Sequence, residues 1–336
     1  MSLANSVLVL VLVLMYYKVE SKGDIWEPLL LLAGILGVLM GNLLLNQNKM
    51  LYAPVIQTHA DFQVSGPSLN ANHPDLRKPS KLLKFTNLTL LTKDRVEIHA
   101  WLFPSKQTNL QRQVLIYLHG NAGNIGHRIP TWQLFHDNLP ETDLLCFDYR
   151  GFGNSQGEPS EPGLVLDCLA CIEHCQNQGY QKIILFGTSL GGAVAVQAWS
   201  EAGRDVVHSL VLENAFTSVC DVACALLPVV APFRMVLASE FGSQTFLTNV
   251  FDTRRVLQRA AIERGICPVL ILRGELDEIV PPSHSLELYE LARAKQPLTT
   301  FVSFPNGSHN NLAEVAHDRY FQAIRSALKQ DSGDGQ

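Results

Sequence analysis

The chain has 336 residues, 47% of them apolar and 17% charged, and 26 Lys+Arg against 31 Asp+Glu leave a net charge of −5. This composition excludes a disordered or collagen-like chain. It also offers no basic surplus for phosphate backbones, so nucleic acid is not an expected partner.

The apolar excess is concentrated before Asn46, in Val7–Met15 and Pro28–Leu45. From Trp26 to Leu45 only Glu27 is charged, and about 20 residues at 1.5 Å each match the ~30 Å hydrocarbon core of a bilayer. A transmembrane helix is expected there, with the lipid bilayer as partner. The earlier run, Leu8 to Tyr17, has no Lys or Arg before it and no small-x-small cleavage site after it, so it reads as a short first leg of a hairpin or an interfacial segment. Residues 1–48 are thus expected to form a membrane anchor of one or two hydrophobic segments. Lys18 and Lys22 precede the second run and Lys49 follows it, which leaves the orientation open. Residues 49–82, with Pro54, Pro67, Pro74 and Pro79, read as a connector. Two sequons, Asn87-Leu-Thr and Asn306-Gly-Ser, do not fix the side of the membrane either.

From Leu83 onward, short apolar runs alternate with segments of helical period. Strands are expected at Phe85–Leu91, Glu97–Phe103, Val114–Leu118, Leu144–Phe147, Ile183–Phe186, Leu210–Leu212, Val269–Leu272 and Thr300–Phe304. The first two are separated by hairpin spacing and should pair antiparallel. Later strands are far enough apart for crossover helices, and runs such as VLIYL, IILF and VLILR read as buried on both faces. The expected architecture is α/β: a mostly parallel sheet flanked by helices, one domain over 83–330, followed by a polar tail at 331–336.

Seven cysteines include Cys168, Cys171 and Cys175 at i, i+3, i+7, which stacks them on one helix face. Cys168 and Cys171 have no second C-x-x-C to complete a zinc ribbon, so packing rather than metal binding is the expected role, and no metal site is expected.

Gly187-Thr188-Ser189-Leu190-Gly191 follows the IILF strand and opens a helix at Ala193–Ala202. That is the setting of a G-x-S-x-G nucleophile elbow, whose strained turn needs glycine two residues either side of the serine. A serine hydroxyl needs a base and a group that orients the base, in chain order Ser, acid, His. Asp277 sits just beyond the Val269–Leu272 strand, with Glu275 and Glu278 as competing carboxylates. His309 follows the last strand; His317 is the alternative but falls within the C-terminal helix pattern. The oxyanion of acyl transfer calls for two N–H donors. Leu190, at the start of the helix, offers one; the loop His119-Gly120-Asn121-Ala122-Gly123-Asn124 offers the other, from Asn121 or its neighbour Ala122.

His119–Asn124, Asp148–Ser155, Gly187–Gly192, the GELDEIVPP segment and GSHN together resemble the α/β-hydrolase superfamily. With the N-terminal hydrophobic segment and the Met50–Pro54 leader, the pattern is similar to membrane-anchored α/β-hydrolase-domain proteins of the serine aminopeptidase-like subgroup. The resemblance covers about residues 50 to 328. It implies an α/β-hydrolase fold with an eight-stranded sheet, a Ser189, Asp277, His309 triad, and hydrolysis of an ester, thioester or amide without a cofactor. It departs from the pattern in having two hydrophobic runs where one anchor is expected. The Asp148–Ser155 segment is expected to brace neighbouring backbone rather than to bind substrate.

Between Glu213 and Pro268 lie 54 residues, where a crossover uses about 25 to 30. The surplus is expected to form a cap at about 215–265, with an apolar stretch at Val222–Ala238 suited to an acyl chain. The sequence therefore reads as a membrane-anchored serine hydrolase cleaving acyl esters or thioesters of lipid or acylated substrates through an acyl-enzyme on Ser189. A peptidase or amidase of the same fold, and a non-catalytic binding protein that retains the fold, are the alternatives. Loss of a triad residue would mark the last of these, and none is lost.

Overall fold

The computed structural model describes residues 26–54, 84–107, 112–203, 205–227, 230–239, 245–263 and 267–329. The run at Leu8–Tyr17, most of the connector and the tail at 331–336 lie outside the described residues.

The described chain divides into two compact units. The larger comprises Leu51–Val222 and Asn249–Gln336. Its strands are β1 (Ala53–Pro54), β2 (Thr86–Leu91), β3 (Glu97–Phe103), β4 (Gln113–Leu118), β5 (Ala122–Gly123), β6 (Asp143–Phe147), β7 (Lys182–Thr188), β8 (Ser209–Glu213), β9 (Val269–Gly274) and β10 (Thr300–Phe304). Eight of them form one sheet in the order β10-β9-β8-β7-β4-β6-β3-β2. β2 and β3 pair antiparallel as their spacing predicts, and β3 is also antiparallel to β6; every other pairing is parallel.

The central strands are apolar throughout because both sheet faces are covered. Val114, Ile116 and Leu118 of β4 enter one core while Leu115 and Tyr117 enter the other, and Ile183 and Leu185 of β7 oppose Ile184 and Phe186 in the same way. The first core takes in Leu164, Cys168, Cys171 and Cys175 of α4 (Glu161–Asn177) and the small face of α5 (Leu190–Ala202); the second takes in Trp132 and Phe135 of α3 (Ile129–Asn138) and Phe321 and Ile324 of α9 (His317–Lys329). Between α5 and α9 the longer helices are α6 (Val219–Leu226), α7 (Thr253–Glu263) and α8 (Pro282–Arg293). The three α4 thiols pack as small hydrophobes, and burial pushes Cys175 up to about 12, away from the reactive range. The expected strand positions agree with those observed to within two residues. The pair β1 and β5 is additional: Ala53 and Pro54 run parallel to Ala122 and Gly123, inside what reads by sequence as irregular connector.

The smaller unit comprises Met1–Met50 and Ala223–Thr248. It contains α1 (Trp26–Leu45) and most of α2 (Gln47–Leu51). The Gln47 amide donates to the Phe246 carbonyl at 3.1 Å and accepts from Thr248 N–H at 2.9 Å, while the Thr248 hydroxyl donates to Asn48 Oδ1 at 2.9 Å. Large apolar side chains remain exposed in this unit, Leu45 at 88% and Met235 at 89% being the extremes. The expected transmembrane segment is helical over all 20 residues. Even so, among the described residues no helix is long and apolar enough to cross a membrane. Gly34, Gly37, Gly41 and Asn42 interrupt the apolar side chains described in α1.

The Asp148–Ser155 segment braces backbone, as expected. Asp148 Oδ1 accepts from Ile125 N–H at 2.8 Å. Arg150 donates through its backbone N–H and Nε to the Asp167 carboxylate at 2.8 and 2.9 Å and through both Nη atoms to Asp94 at 2.7 and 3.0 Å. Burial pushes Asp167 up to about 6 despite the opposing pull of Arg150, so the guanidinium is what makes burial of this carboxyl tolerable. Arg150→Ala should destabilise the protein by about 3 kcal/mol in urea unfolding. Arg150→Lys should recover less than half of that, because an ammonium cannot reproduce the two-sided fork; full recovery would show that charge alone suffices.

Candidate active site

β7 delivers the chain to Ser189, which turns at φ 54° and ψ −116° before α5 begins at Leu190. This is left-handed backbone on a non-glycine residue, and it is held by close packing rather than by local preference. A Cβ on Gly187 would lie 2.3 Å from the Gly191 carbonyl oxygen, and one on Gly191 would lie 2.0 Å from the Leu118 carbonyl oxygen. Both positions therefore exclude any larger residue. The Ser189 N–H donates to the Glu213 carbonyl at 2.8 Å, tying the turn to the end of β8. Leu190 N–H stands in the first turn of a 13-residue helix, where backbone donors are unpaired and the dipole is positive.

The loop after β4 lies against the same turn: a Cβ on Gly120 would sit 3.8 Å from Ser189 Cβ. Its carbonyls are held in succession. His119 Nδ1 meets Gly120 O at 2.7 Å, Ala53 N–H donates to Asn121 O at 2.9 Å, and Arg128 donates to Ala122 O at 2.6 Å and Asn124 O at 2.8 Å. Because a carbonyl only accepts, His119 carries its proton on Nδ1. Burial, reinforced by Arg128, holds this imidazole well below the usual histidine range, so it stays neutral. Asn121 and Ala122, the two candidate donors, both belong to this braced stretch.

Asp277 lies three residues beyond β9 and His309 five beyond β10, at the adjacent carboxyl ends of paired strands. His309 Nδ1 donates to the Asp277 carboxylate, 2.8 Å from Oδ2 and 2.9 Å from Oδ1. Asp277 is itself fixed by the N–H groups of Ile279 and Val280 at 2.9 and 2.8 Å. The competing carboxylates have other partners: Glu275 accepts from the Ser303 hydroxyl at 2.7 Å, and Glu278 accepts from the His309 backbone N–H at 3.3 Å. His317 opens α9, half exposed beside Asp318 and Asn138. Among the described residues no hydrogen bond joins Ser189 Oγ to the His309 ring, a gap common in enzymes without substrate.

Two residues that the sequence reading did not single out join these parts. Asn214, at φ 45°, donates its amide to His309 O at 2.9 Å and Ser308 O at 3.2 Å and accepts from Gly274 N–H at 2.8 Å. It thereby binds the histidine loop to the end of β9. Beside it, the buried Glu213 carboxyl accepts from the Tyr320 hydroxyl, while the Thr188 hydroxyl meets the Tyr117 hydroxyl at 2.9 Å. Burial raises Glu213 to about 7, against the pull of Tyr320, His309 and Thr188. A polar pair closing a buried strand, SLVLEN, is the sequence signal that could have found them.

A mostly parallel sheet with a strand-turn-helix serine, a late acid and a last-loop histidine defines the α/β hydrolases. A family model described as alpha/beta hydrolase fold matches residues 113–250. The chain is 34% identical over 268 residues to the alpha/beta hydrolase domain-containing protein WAV2 of Arabidopsis thaliana, covering 78% of this chain and 81% of that protein. This protein belongs to the alpha/beta hydrolase family. It is also 34% identical over 260 residues to the uncharacterized membrane protein YNL320W of Saccharomyces cerevisiae, covering 76% of this chain and 84% of that one. Against the lysophosphatidylserine lipase ABHD12 of Danio rerio the identity is 32% over 195 residues, covering 55% of this chain and 48% of that protein.

The raised Glu213 carboxyl has a signature in stability. A carboxyl whose folded pKa exceeds its unfolded value favours folding at low pH, and that contribution is lost as pH rises through the folded value. Wild-type stability should therefore decline between about pH 4.5 and about 7. Glu213→Gln should flatten that part of the urea-midpoint profile, and parallel profiles for the two proteins would refute the assignment.

Proposed function

We propose that this hydrolase is a membrane-associated serine hydrolase that cleaves ester or thioester bonds of lipid or acylated substrates. The observation that carries the reading is the His309 Nδ1 to Asp277 contact at 2.8 Å, on a loop tied through Asn214 to the strand that also anchors Ser189. With Nδ1–H engaged by the carboxylate, Nε2 is left unprotonated and can accept the Ser189 proton as Oγ attacks the acyl carbon. The tetrahedral oxyanion would lie between the Leu190 N–H and the N–H of Asn121 or Ala122. Its collapse returns the proton through His309 to the leaving alkoxide or thiolate and leaves an acyl-Ser189. Water activated by the same imidazole then releases the acid.

The acyl preference rests on the apolar stretch Val222–Ala238 and on the relative named as a lysophosphatidylserine lipase. Membrane association rests on the exposed apolar side chains of the smaller unit, on the hydrophobic residues before Asn46 and on the relative named as a membrane protein.

A fluorophosphonate should label Ser189 in the full-length protein, with long-chain acyl esters or thioesters competing better than short ones, since each buried CH₂ contributes about 0.8 kcal/mol. Ser189→Ala or His309→Ala should lower kcat by about 10⁶, and Asp277→Asn by about 10⁴. An unlabelled, folded wild type would favour a binding protein, and stronger competition by aminoacyl amides a peptidase. On fractionation, full-length protein should resist carbonate extraction; recovery in the soluble fraction would refute membrane association.

A further inference from the structure

We propose that the leader Tyr52-Ala53-Pro54 is a positioning element of the oxyanion hole, its Ala53 N–H fixing the Asn121–Ala122 peptide plane; this rests on the hydrolase reading above. Across a trans peptide the C=O and N–H point in opposite directions. The 2.9 Å hydrogen bond from Ala53 N–H to Asn121 O therefore aims the Ala122 N–H away from the leader. The parallel register of Ala53 with Ala122 and Pro54 with Gly123 makes this a short ladder rather than a single contact. In such a ladder the bridging residue Ala53 bonds the chain on either side of Ala122, so the N–H of Ala122 itself is not consumed.

The leader is in turn rigidly seated. Tyr52 is 3% exposed, and its hydroxyl donates at 2.8 Å to Asn249 Oδ1, which also accepts from the Glu161 N–H at 2.7 Å. Its ring meets Phe152 edge-on at 6.4 Å, Phe152 meets His119 at 5.4 Å, and His119 holds Gly120 O. The two peptide planes that bear the candidate oxyanion donors are thus clamped at their carbonyl ends by one aromatic series, through His119 for Asn121 N–H and through Ala53 for Ala122 N–H. A glycine-flanked loop without these clamps would sample orientations that miss the oxyanion, and its donors would lose the preorganisation on which their effect depends.

The test uses full-length protein with p-nitrophenyl octanoate as substrate and a fluorophosphonate as the Ser189 probe. Ala53→Pro removes the N–H, and it should lower kcat and the labelling rate together by about tenfold or more with KM within about twofold, as expected when transition-state stabilisation alone is lost. Ala53→Val keeps the N–H and should restore both rates. Tyr52→Phe loosens the seat without emptying it, and it should lower kcat by a smaller factor in the same pattern, which keeps the test decisive if Ala53→Pro folds poorly. Leu328→Ala, a core cavity in α9, provides a protein of reduced Tm whose kcat should stay at the wild-type value. Wild-type kcat and labelling in Ala53→Pro, or an equal kcat loss in Leu328→Ala at matched Tm, would overturn the leader's role. An unlabelled wild type would instead remove the hydrolase reading and the leader's role with it.

Discussion

Everything at the site depends on the close approach of the Ser189 turn to the backbone of β4. The Leu118 carbonyl occupies the space where a Gly191 Cβ would be, 2.0 Å away, so α5 can leave the sheet only if its second residue lacks a side chain. That approach forces Ser189 into left-handed backbone, a conformation that costs on the order of 1–3 kcal/mol. It persists because the strand before it and the helix after it are buried on both sides and cannot relax. The strain raises the serine above the sheet edge and leaves the first N–H groups of α5 beside it.

Strand order then decides what the serine meets. β8 lies between β7 and β9, so the residues that end it stand between Ser189 and the loops carrying Asp277 and His309. Glu213 uses its backbone carbonyl for Ser189 and its carboxyl for Tyr320, and Asn214 uses its amide on the histidine loop and the end of β9. A buried amide with both N–H donors and its carbonyl engaged rigidifies the segments it bridges. Asn tolerates the left-handed backbone this position requires better than most residues.

The loop after β4 is organised by a different device. Its glycines permit the chain to pass next to Ser189, yet the same glycines would leave its peptide planes free to rotate. Backbone carbonyls held by His119, Ala53 and Arg128 remove that freedom. Arg128 gives two N–H donors to the Ala122 and Asn124 carbonyls, so a half-buried guanidinium braces the loop backbone. The residues of the candidate site thus sit on turns and loops, while the rigidity comes from the sheet beneath and from partners outside the loop.

The strands, the two-sided burial and the placing of Ser189, Asp277 and His309 just past strands of one parallel run are legible in the chain because each depends on neighbours in sequence. Alternation along VLIYL reports two buried faces, and glycines two either side of a serine report a turn. An acid and a histidine just past successive strands report loops at one sheet edge. What distinguished Asp277 from Glu275 and Glu278 was not spacing but partners: the Ser303 hydroxyl takes Glu275, and the backbone N–H of His309 takes Glu278. The two-residue strand Ala53–Pro54 is too short to show a period, and its proline reads locally as irregular chain. For Glu213 and Asn214 the chain shows only a polar pair closing a buried strand, and not what that pair meets. Their partners Tyr320 and His309 lie 107 and 95 residues away, and only the packing of β7, β8 and β9 side by side brings them within hydrogen-bond reach. Local sequence encodes which face of an element is apolar and where the backbone can bend, whereas the pairing of polar groups across distant loops is set when the sheet is assembled.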